Sequence, residues 1–358
     1  MKLLFLGESW RGSSARSLKE SLCRITVSHI DEIDEINEDL YFPKSSALWL
    51  RAIHRLLIPA YRRELANAVI KKCRYTRPDV LLVYKGSNID AQLVRAVKAM
   101  GVFTVNVFPD YSPHAYGARL RRAIGEYDLV ISTKPFHPGL WQSLYGYRNR
   151  CVFVPHGYDS SVHLIRTPST EFQFDLGLVA TWRPEYHSLM LQVARSLEHD
   201  LVRVAIAGNG WVERASAFPS HWILTEQVLG TAYARWAQRA KIMIAPVNRE
   251  VVIRGQRHPG DEDSTRTYEL AAAHCFFLHR RTDYVETVYE GASEVPFFDD
   301  AEELVKLVRQ FLTEDELRSK MAAAAHARAV PAYSIDSRAK QIETLIRSNV
   351  DLRHRGDS

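Results

Sequence analysis

The stretch Asp261-Glu262-Asp263-Ser264-Thr265-Arg266-Thr267-Tyr268-Glu269 is the richest in side chains that do chemistry. Three acids precede a residue pair, Ser264 and Thr265, either of which can cap a helix by accepting its first backbone N–H groups. Arg266 then falls in the first helical turn. A cation there opposes the helix dipole, at a cost of about 0.3–1 kcal/mol, unless an anion lies nearby. That placement suits a phosphate or carboxylate ligand. Glu269 lies three residues on, so it shares a face with Arg266 and could accept hydrogen bonds from hydroxyl groups. The same spacing also suits a plain Arg266–Glu269 pair on a solvated face.

Four other clusters stand where apolar runs end. Gly7 follows Leu3–Leu6 and opens a loop in which backbone N–H groups can approach an anion, though G-x-G-x-x-G is absent. Asp110 and His114 follow Phe103–Phe108 and pair an acid with a histidine, the chemistry of a general base and its orienting group; Asp110 could equally cap the next helix. Pro155-His156-Gly157-Tyr158-Asp159 reads mainly as a chain-turning element. Gly208-Asn209-Gly210 offers close backbone approach to a ligand, or a simple turn.

The elements that must position these residues alternate. Strands are expected at 2–6, 25–30, 80–84, 103–108, 127–132 and 151–154, then again at 174–180, 202–207, 241–246 and 275–278. Helices are expected between them, at about 13–23, 91–100, 188–197, 231–239, 266–273 and 301–312, with 31–39 as a loop or helix start. Residues 46–75 have helical spacing, which Pro59 should divide into two helices. Short connections and continuous apolar strands make two consecutive doubly wound parallel sheets. Ligands of such sheets bind at the carboxyl ends of the strands. The boundary is expected near 157–170, giving domains 1–160 and 170–330, with a helical tail at 331–358 whose last residues fray from Arg353.

Composition narrows the class. The chain has 358 residues, 46% hydrophobic and 25% charged, enough for two domains with cores. No apolar run is long enough to span a bilayer, the first residues lack a signal-peptide pattern, and the four cysteines form no Cys-x-x-Cys pair. A cytoplasmic enzyme without disulfides or a zinc site is expected. Residues 44–77 carry nine Lys/Arg against Glu64 alone, a net +8 that leaves the rest of the chain at −3. That distribution argues against nucleic acid. The basic stretch is either a solvated helix face or a peripheral contact with the inner membrane surface, since Leu48, Trp49, Leu50, Leu56, Leu57 and Ile58 interleave with the bases.

The stretches Val179 to Glu185, Ala207 to Trp211, Ser264 to Glu269, Phe276 to Asp283 and Phe297 to Leu304 resemble the CgeB-like (spore-maturation-type) GT-B glycosyltransferases. The resemblance covers most of residues 80–345. It implies an α/β GT-B fold: two Rossmann-like domains facing a cleft, with a C-terminal helix returning toward the first. It further implies a hexosyl-type, metal-independent glycosyltransferase, with retention of configuration expected over inversion and both left open by the residues. The donor would be a UDP-, GDP- or dTDP-sugar bound by the second domain, with no prosthetic group, and the acceptor would sit on the first.

Carried over by motif, Asp261 and Glu269 correspond to an acid-x7-Glu donor element in which Asp261 replaces the usual Glu. Glu269 would hold the donor ribose, Arg266 the diphosphate, and Arg183 would be a second phosphate contact. Gly230 would lie near the base, and Gly7, Asn209, Gly210, Thr267 and Tyr268 would complete the donor set. Asp110 or His114 would act as base if the enzyme inverts. Two departures stand out: Glu185-Tyr186 replaces a basic position, and His274-Cys275 replaces a glycine pair. They leave open a non-catalytic binding or assembly protein; a nucleotide-sugar epimerase is a third reading. Asp261 and Asp263 have Asp-x-Asp spacing but read as loop acids, so no metal is expected.

Overall fold

The computed structural model describes residues 1–25, 30–42, 48–253 and 255–356. The chain divides into two units. One comprises Met1–Pro155, Val252–Pro259 and Arg338–Ser358, the other His156–Val251 and Gly260–Ser337.

The first unit holds β1 (Lys2–Gly7), α1 (Ser14–Ile25), β2 (Glu32–Asn37), α2 (Leu48–Thr76), β3 (Val80–Tyr84), α3 (Ala91–Lys98), β4 (Phe103–Phe108), α4 (Gly117–Ile124), β5 (Leu129–Ser132), α5 (His137–Tyr145) and β6 (Arg150–Phe153). Its six strands run in the order β2-β1-β3-β4-β5-β6, all parallel. β4 is buried at every position, as a strand covered by helices on both faces must be. Leu4, Leu6, Leu81 and Val83 pack against Leu65, Val69, Val94 and Val97 of the covering helices.

The second unit holds β7 (Phe174–Val179), α6 (Pro184–Ser196), β8 (Val204–Ala207), β9 (Ile223–Thr225), α7 (Thr231–Ala237), β10 (Ala240–Ala245), β11 (Glu250–Ile253), β12 (Gln256–Pro259), α8 (Thr265–Ala272), β13 (Phe277–Arg280), α9 (Asp283–Val288), β14 (Phe297–Phe298), α10 (Ala301–Thr313) and α11 (Asp315–Ala329); β12 and the end of β11 belong to the first unit. Its parallel sheet has the order β14-β13-β10-β7-β8-β9, while β11 and β12 form a two-stranded sheet. Alternate residues feed two cores: Leu176, Ile242 and Ile244 face one, Ala205, Met243 and Ala245 the other. The last helix, α12 (Ile335–Gly356), lies mostly in the first unit, where Arg150 donates to Asn349 at 2.8 Å.

Four expectations are corrected. Ile25 closes α1, and the second strand is β2; residues 26–29 of the expected strand lie outside the described residues. The acids of β2 concealed it. It is an edge strand whose Asp34 and Glu35 pair with Lys72 and Lys19, both at 2.6 Å. Pro59 does not split α2, a single helix of 29 residues. Proline removes one backbone donor, here on an exposed turn, and the helix is fixed further along by buried Leu65, Val69 and Cys73 at i, i+4 and i+8. Lys44, at the start of the basic stretch, lies outside the described residues. The expected fraying from Arg353 is replaced by helix to Gly356, with 357–358 outside the described residues. Residues 252–259, expected in the second domain, join the first unit, where His258 stacks on Tyr145 with rings 6.4 Å apart.

Candidate functional site

In the second unit, the chain leaves β7 to build β8 and β9 on one side, then returns to add β10 and β13 on the other. The direction of winding therefore reverses between β7 and β10, and the carboxyl ends of those two strands frame the crevice where such sheets take ligands. Arg266 lies there. Its Nη2 donates to Pro246 O at 2.9 Å, just beyond β10, and its Nη1 to Val179 O, the last residue of β7, at 3.5 Å. Nη2 also lies 3.4 Å from the Tyr186 hydroxyl on α6. The strand-end carbonyls offset the helix dipole that Arg266 opposes. Its buried Nε has no hydrogen-bond partner among the described residues. Tyr186, one of the two residues at the departure noted in the sequence, thus touches Arg266.

α8 presents Arg266 through local bonds. Ser264 N donates to Thr267 Oγ1 at 3.0 Å. Thr267 Oγ1 in turn meets His279 Nε2 at 2.8 Å, and His279 Nδ1 meets Arg280 O at 2.6 Å. A carbonyl only accepts, so Nδ1 carries the hydrogen and Nε2 accepts from the Thr267 hydroxyl. Tyr268 donates to Asp263 at 2.7 Å. Thr267 and Tyr268 are both fully buried, so they anchor the helix from below and face no solvent.

Burial pulls the His279 imidazole from 6.5 down to about 4, and the Arg266 charge adds to it. The native state therefore binds fewer protons than the unfolded chain between these values. The stability from neutral His279 is complete above pH 6.5 and falls as pH drops toward about 4. The expected loss is about 3 kcal/mol. Melting temperature against pH should fall more steeply across that window in the parent than in His279→Gln; equal slopes would refute it.

Glu269 is one turn along α8 from Arg266. Its Oε1 lies 3.6 Å from Nε2 of His163, and both side chains are 14% exposed. His163 Nδ1 accepts from Asp159 N at 3.0 Å, so Nε2 carries the hydrogen and points it toward Glu269. Tyr233 of α7 sets its ring edge-on to His163 at 5.5 Å. Burial, then the charge of Glu269, raises the Tyr233 phenol well above its usual range. His163 was not anticipated. Its only sequence signal is the turn Asp159-Ser160-Ser161-Val162-His163, in which Asp159 binds Ser161 N at 2.9 Å. In the motif before it, Gly157 admits a close approach of backbone: a Cβ there would lie 2.9 Å from Tyr333 O.

Other anticipated residues hold loops at the same strand ends. Asn209 O accepts from Trp182 N at 2.8 Å, and Asn209 Nδ2 donates to Gln227 at 3.0 Å. Gly210 has φ +86°, and Trp211 donates its indole hydrogen to Ala180 O at 2.7 Å. Arg183 is exposed immediately before α6. Gly230, at φ +62°, opens the helix that carries Tyr233. Asp261 is tied through its backbone to Asn248 O at 2.6 Å. A cavity of about 500 Å³ beside Tyr186 and Pro246 is further lined by Asn248, Arg249 and Arg280. His274 takes φ +57°, a conformation that suits glycine, and its ring stacks on His326 at 3.9 Å.

In the first unit, Gly7 ends β1, and a Cβ there would lie 2.9 Å from the Phe5 ring. Asp110 forms an ion pair with Lys85 at 3.0 Å. His114 meets Tyr145 edge-on at 5.2 Å and His258 at 6.1 Å. Among the described residues no group of three or more His, Cys, Asp or Glu is arranged to hold a metal ion.

Comparison with known proteins bears on this geometry. Residues 183–344 match the glycosyl transferase-like family. No curated protein matches by sequence. Among solved structures, a glycosyltransferase from Rickettsia africae ESF-5 is similar with a TM-score of 0.64 and 12% identity, over 98% of each chain. HepE from Anabaena, in complex with UDP-glucose, gives 0.65 and 12%, over 97% of this chain and all of that one. Sucrose-phosphate synthase from Thermosynechococcus elongatus gives 0.68 and 10%, over 97% and 98%. The chain thus has the two-domain, Rossmann-like fold of GT-B glycosyltransferases, and its residues 183–344 carry the match to the glycosyl transferase-like family.

Proposed function

We propose that this protein is a CgeB-like glycosyltransferase that moves a hexosyl group from a nucleoside-diphosphate donor, without a metal and with retention of configuration. The observation that carries the reading is Arg266, whose guanidinium bridges the carboxyl ends of β7 and β10 with Nε unpartnered. A fixed cation there binds the donor diphosphate and stabilises the charge that develops as it departs. The exposed Arg183, at the start of α6, supplies a second phosphate contact. Glu269, oriented by the Nε2–H of His163, accepts hydrogen bonds from donor hydroxyls. In the reaction the acceptor oxygen bonds to the anomeric carbon as that carbon's bond to the diphosphate breaks. The acceptor proton passes to the departing phosphate, in keeping with Asp110 being held by Lys85.

A thermal-shift series with UDP, GDP, dTDP and their sugars tests this. A nucleotide at about 100 times its dissociation constant should stabilise the protein by about 2.7 kcal/mol. Glu269→Ala should remove most of that shift while the ligand-free melting temperature stays near the parent value. If no nucleotide raises the parent's melting temperature, the reading fails. Donor cleavage on incubation separates a transferase from a binding protein that retains only the fold.

A further inference from the structure

The solvent face of α2 carries a pattern that the donor site leaves unused. At about 3.6 residues per turn, positions 49, 53, 56 and 57 share one side of the helix, and 63, 71 and 74 continue that stripe. The first group is Trp49, Ile53, Leu56 and Leu57, exposed by 66%, 43%, 81% and 42%. The second is Arg63, Lys71 and Arg74, all exposed and without an ion pair among the described residues. The opposite stripe packs from Tyr61 onward: Tyr61 meets Phe42 edge-on at 6.1 Å, and Leu65, Val69 and Cys73 are buried. The helix therefore buries one face in its own unit from Tyr61 onward, while its earlier turns are exposed on most sides, Arg51 and Arg55 included; the described stripe is apolar first and, Glu64 aside, basic after it.

We propose that this face docks onto an anionic phospholipid bilayer. Four large apolar side chains on one exposed stripe suit the boundary between headgroups and acyl chains, and the adjoining bases suit acidic headgroups. Charge argues for this occupant over a second copy of the chain. Residues 44–77 hold a net +8 against −3 elsewhere, so a negative surface attracts this segment, whereas self-pairing of the face leaves its charge uncompensated. No described helix is long and apolar enough to cross a membrane, so the contact lies along the surface.

Co-sedimentation of the full chain with equimolar phosphatidylglycerol–phosphatidylcholine vesicles, and with pure phosphatidylcholine vesicles, tests the proposal. Binding is expected on the acidic vesicles, weaker by about tenfold or more on the neutral ones and falling with added salt. Trp49→Ser with Leu56→Ser, and separately Lys71→Glu with Arg74→Glu, should each lower partitioning by about tenfold or more. All four positions are exposed, so circular-dichroism melts should match the parent. Three results would overturn the proposal: no binding to acidic vesicles, equal binding to both compositions, or binding that neither double variant changes. A dimer that Trp49→Ser with Leu56→Ser dissolves, with no vesicle binding, would assign the face to a second copy instead.

Discussion

Arg266→Ala is expected to lower the rate of sugar transfer by about 100- to 1000-fold, the usual consequence of removing one fixed donor aimed at developing charge. The fold should survive. The guanidinium is bonded to two strand-end carbonyls and one phenol, and alanine is a good helix former at that position. The sensitivity comes from the place. No other described side chain bridges Val179 O and Pro246 O, so nothing replaces the cation between β7 and β10. Arg266→Lys should recover only part of the rate, because an ammonium cannot make the planar, forked contacts that hold the guanidinium against both carbonyls. Donor titration and single-turnover rates are the measurements. Unchanged donor affinity and turnover in Arg266→Ala would remove the diphosphate assignment.

How far the sequence reached depended on the range of each interaction. Val80–Tyr84 and Phe103–Phe108 were legible to the residue, the first as an unbroken apolar run and the second as an apolar run interrupted only by Thr104 and Asn106. The first turn of α8, with Arg266 in it, was legible from a short-range cue, a serine and a threonine before a helical run. The partners of that arginine were not. Tyr186 lies 80 positions away and meets Arg266 only because β7 and β10 are neighbours in the sheet. The pairing of His163 with Glu269 is likewise set by packing. Thr267 and Tyr268 were assigned to the ligand through the motif resemblance, but helical geometry turns them fully into the core, while Arg266 reaches the strand-end carbonyls and Glu269 meets His163. β2 escaped because an edge strand can be acidic when lysines from neighbouring helices neutralise it. The sequence logic ran from polar type to surface, and at these positions tertiary partners reversed it.

Gly208→Ala should cost about 4 kcal/mol and lower the melting temperature of the second unit by about 8–16 °C. A Cβ on this residue would stand 1.9 Å from Ala180 O and 2.6 Å from its carbonyl carbon. That neighbour is backbone at the end of β7, so no rotamer change relieves the overlap. The same carbonyl oxygen takes the indole hydrogen of the fully buried Trp211, at 2.7 Å. Moving it would therefore disturb the core under α6 as well as the loop. The Trp182 N to Asn209 O bond, 2.8 Å, would shift too, and with it the segment that leads through Arg183 into Tyr186. Loss of stability should thus come with weaker donor binding even in the fraction that stays folded. Gly139→Ala is the matched control: it lies in α5 with nothing within 4 Å of the added carbon, and alanine in a helix should be neutral or stabilising by about 0.5–1 kcal/mol. Melts of the two variants that coincide within a degree would mean that the strand-end loops of β7 and β8 do not pack backbone to backbone, and the rigid seat for Arg266 would go with them.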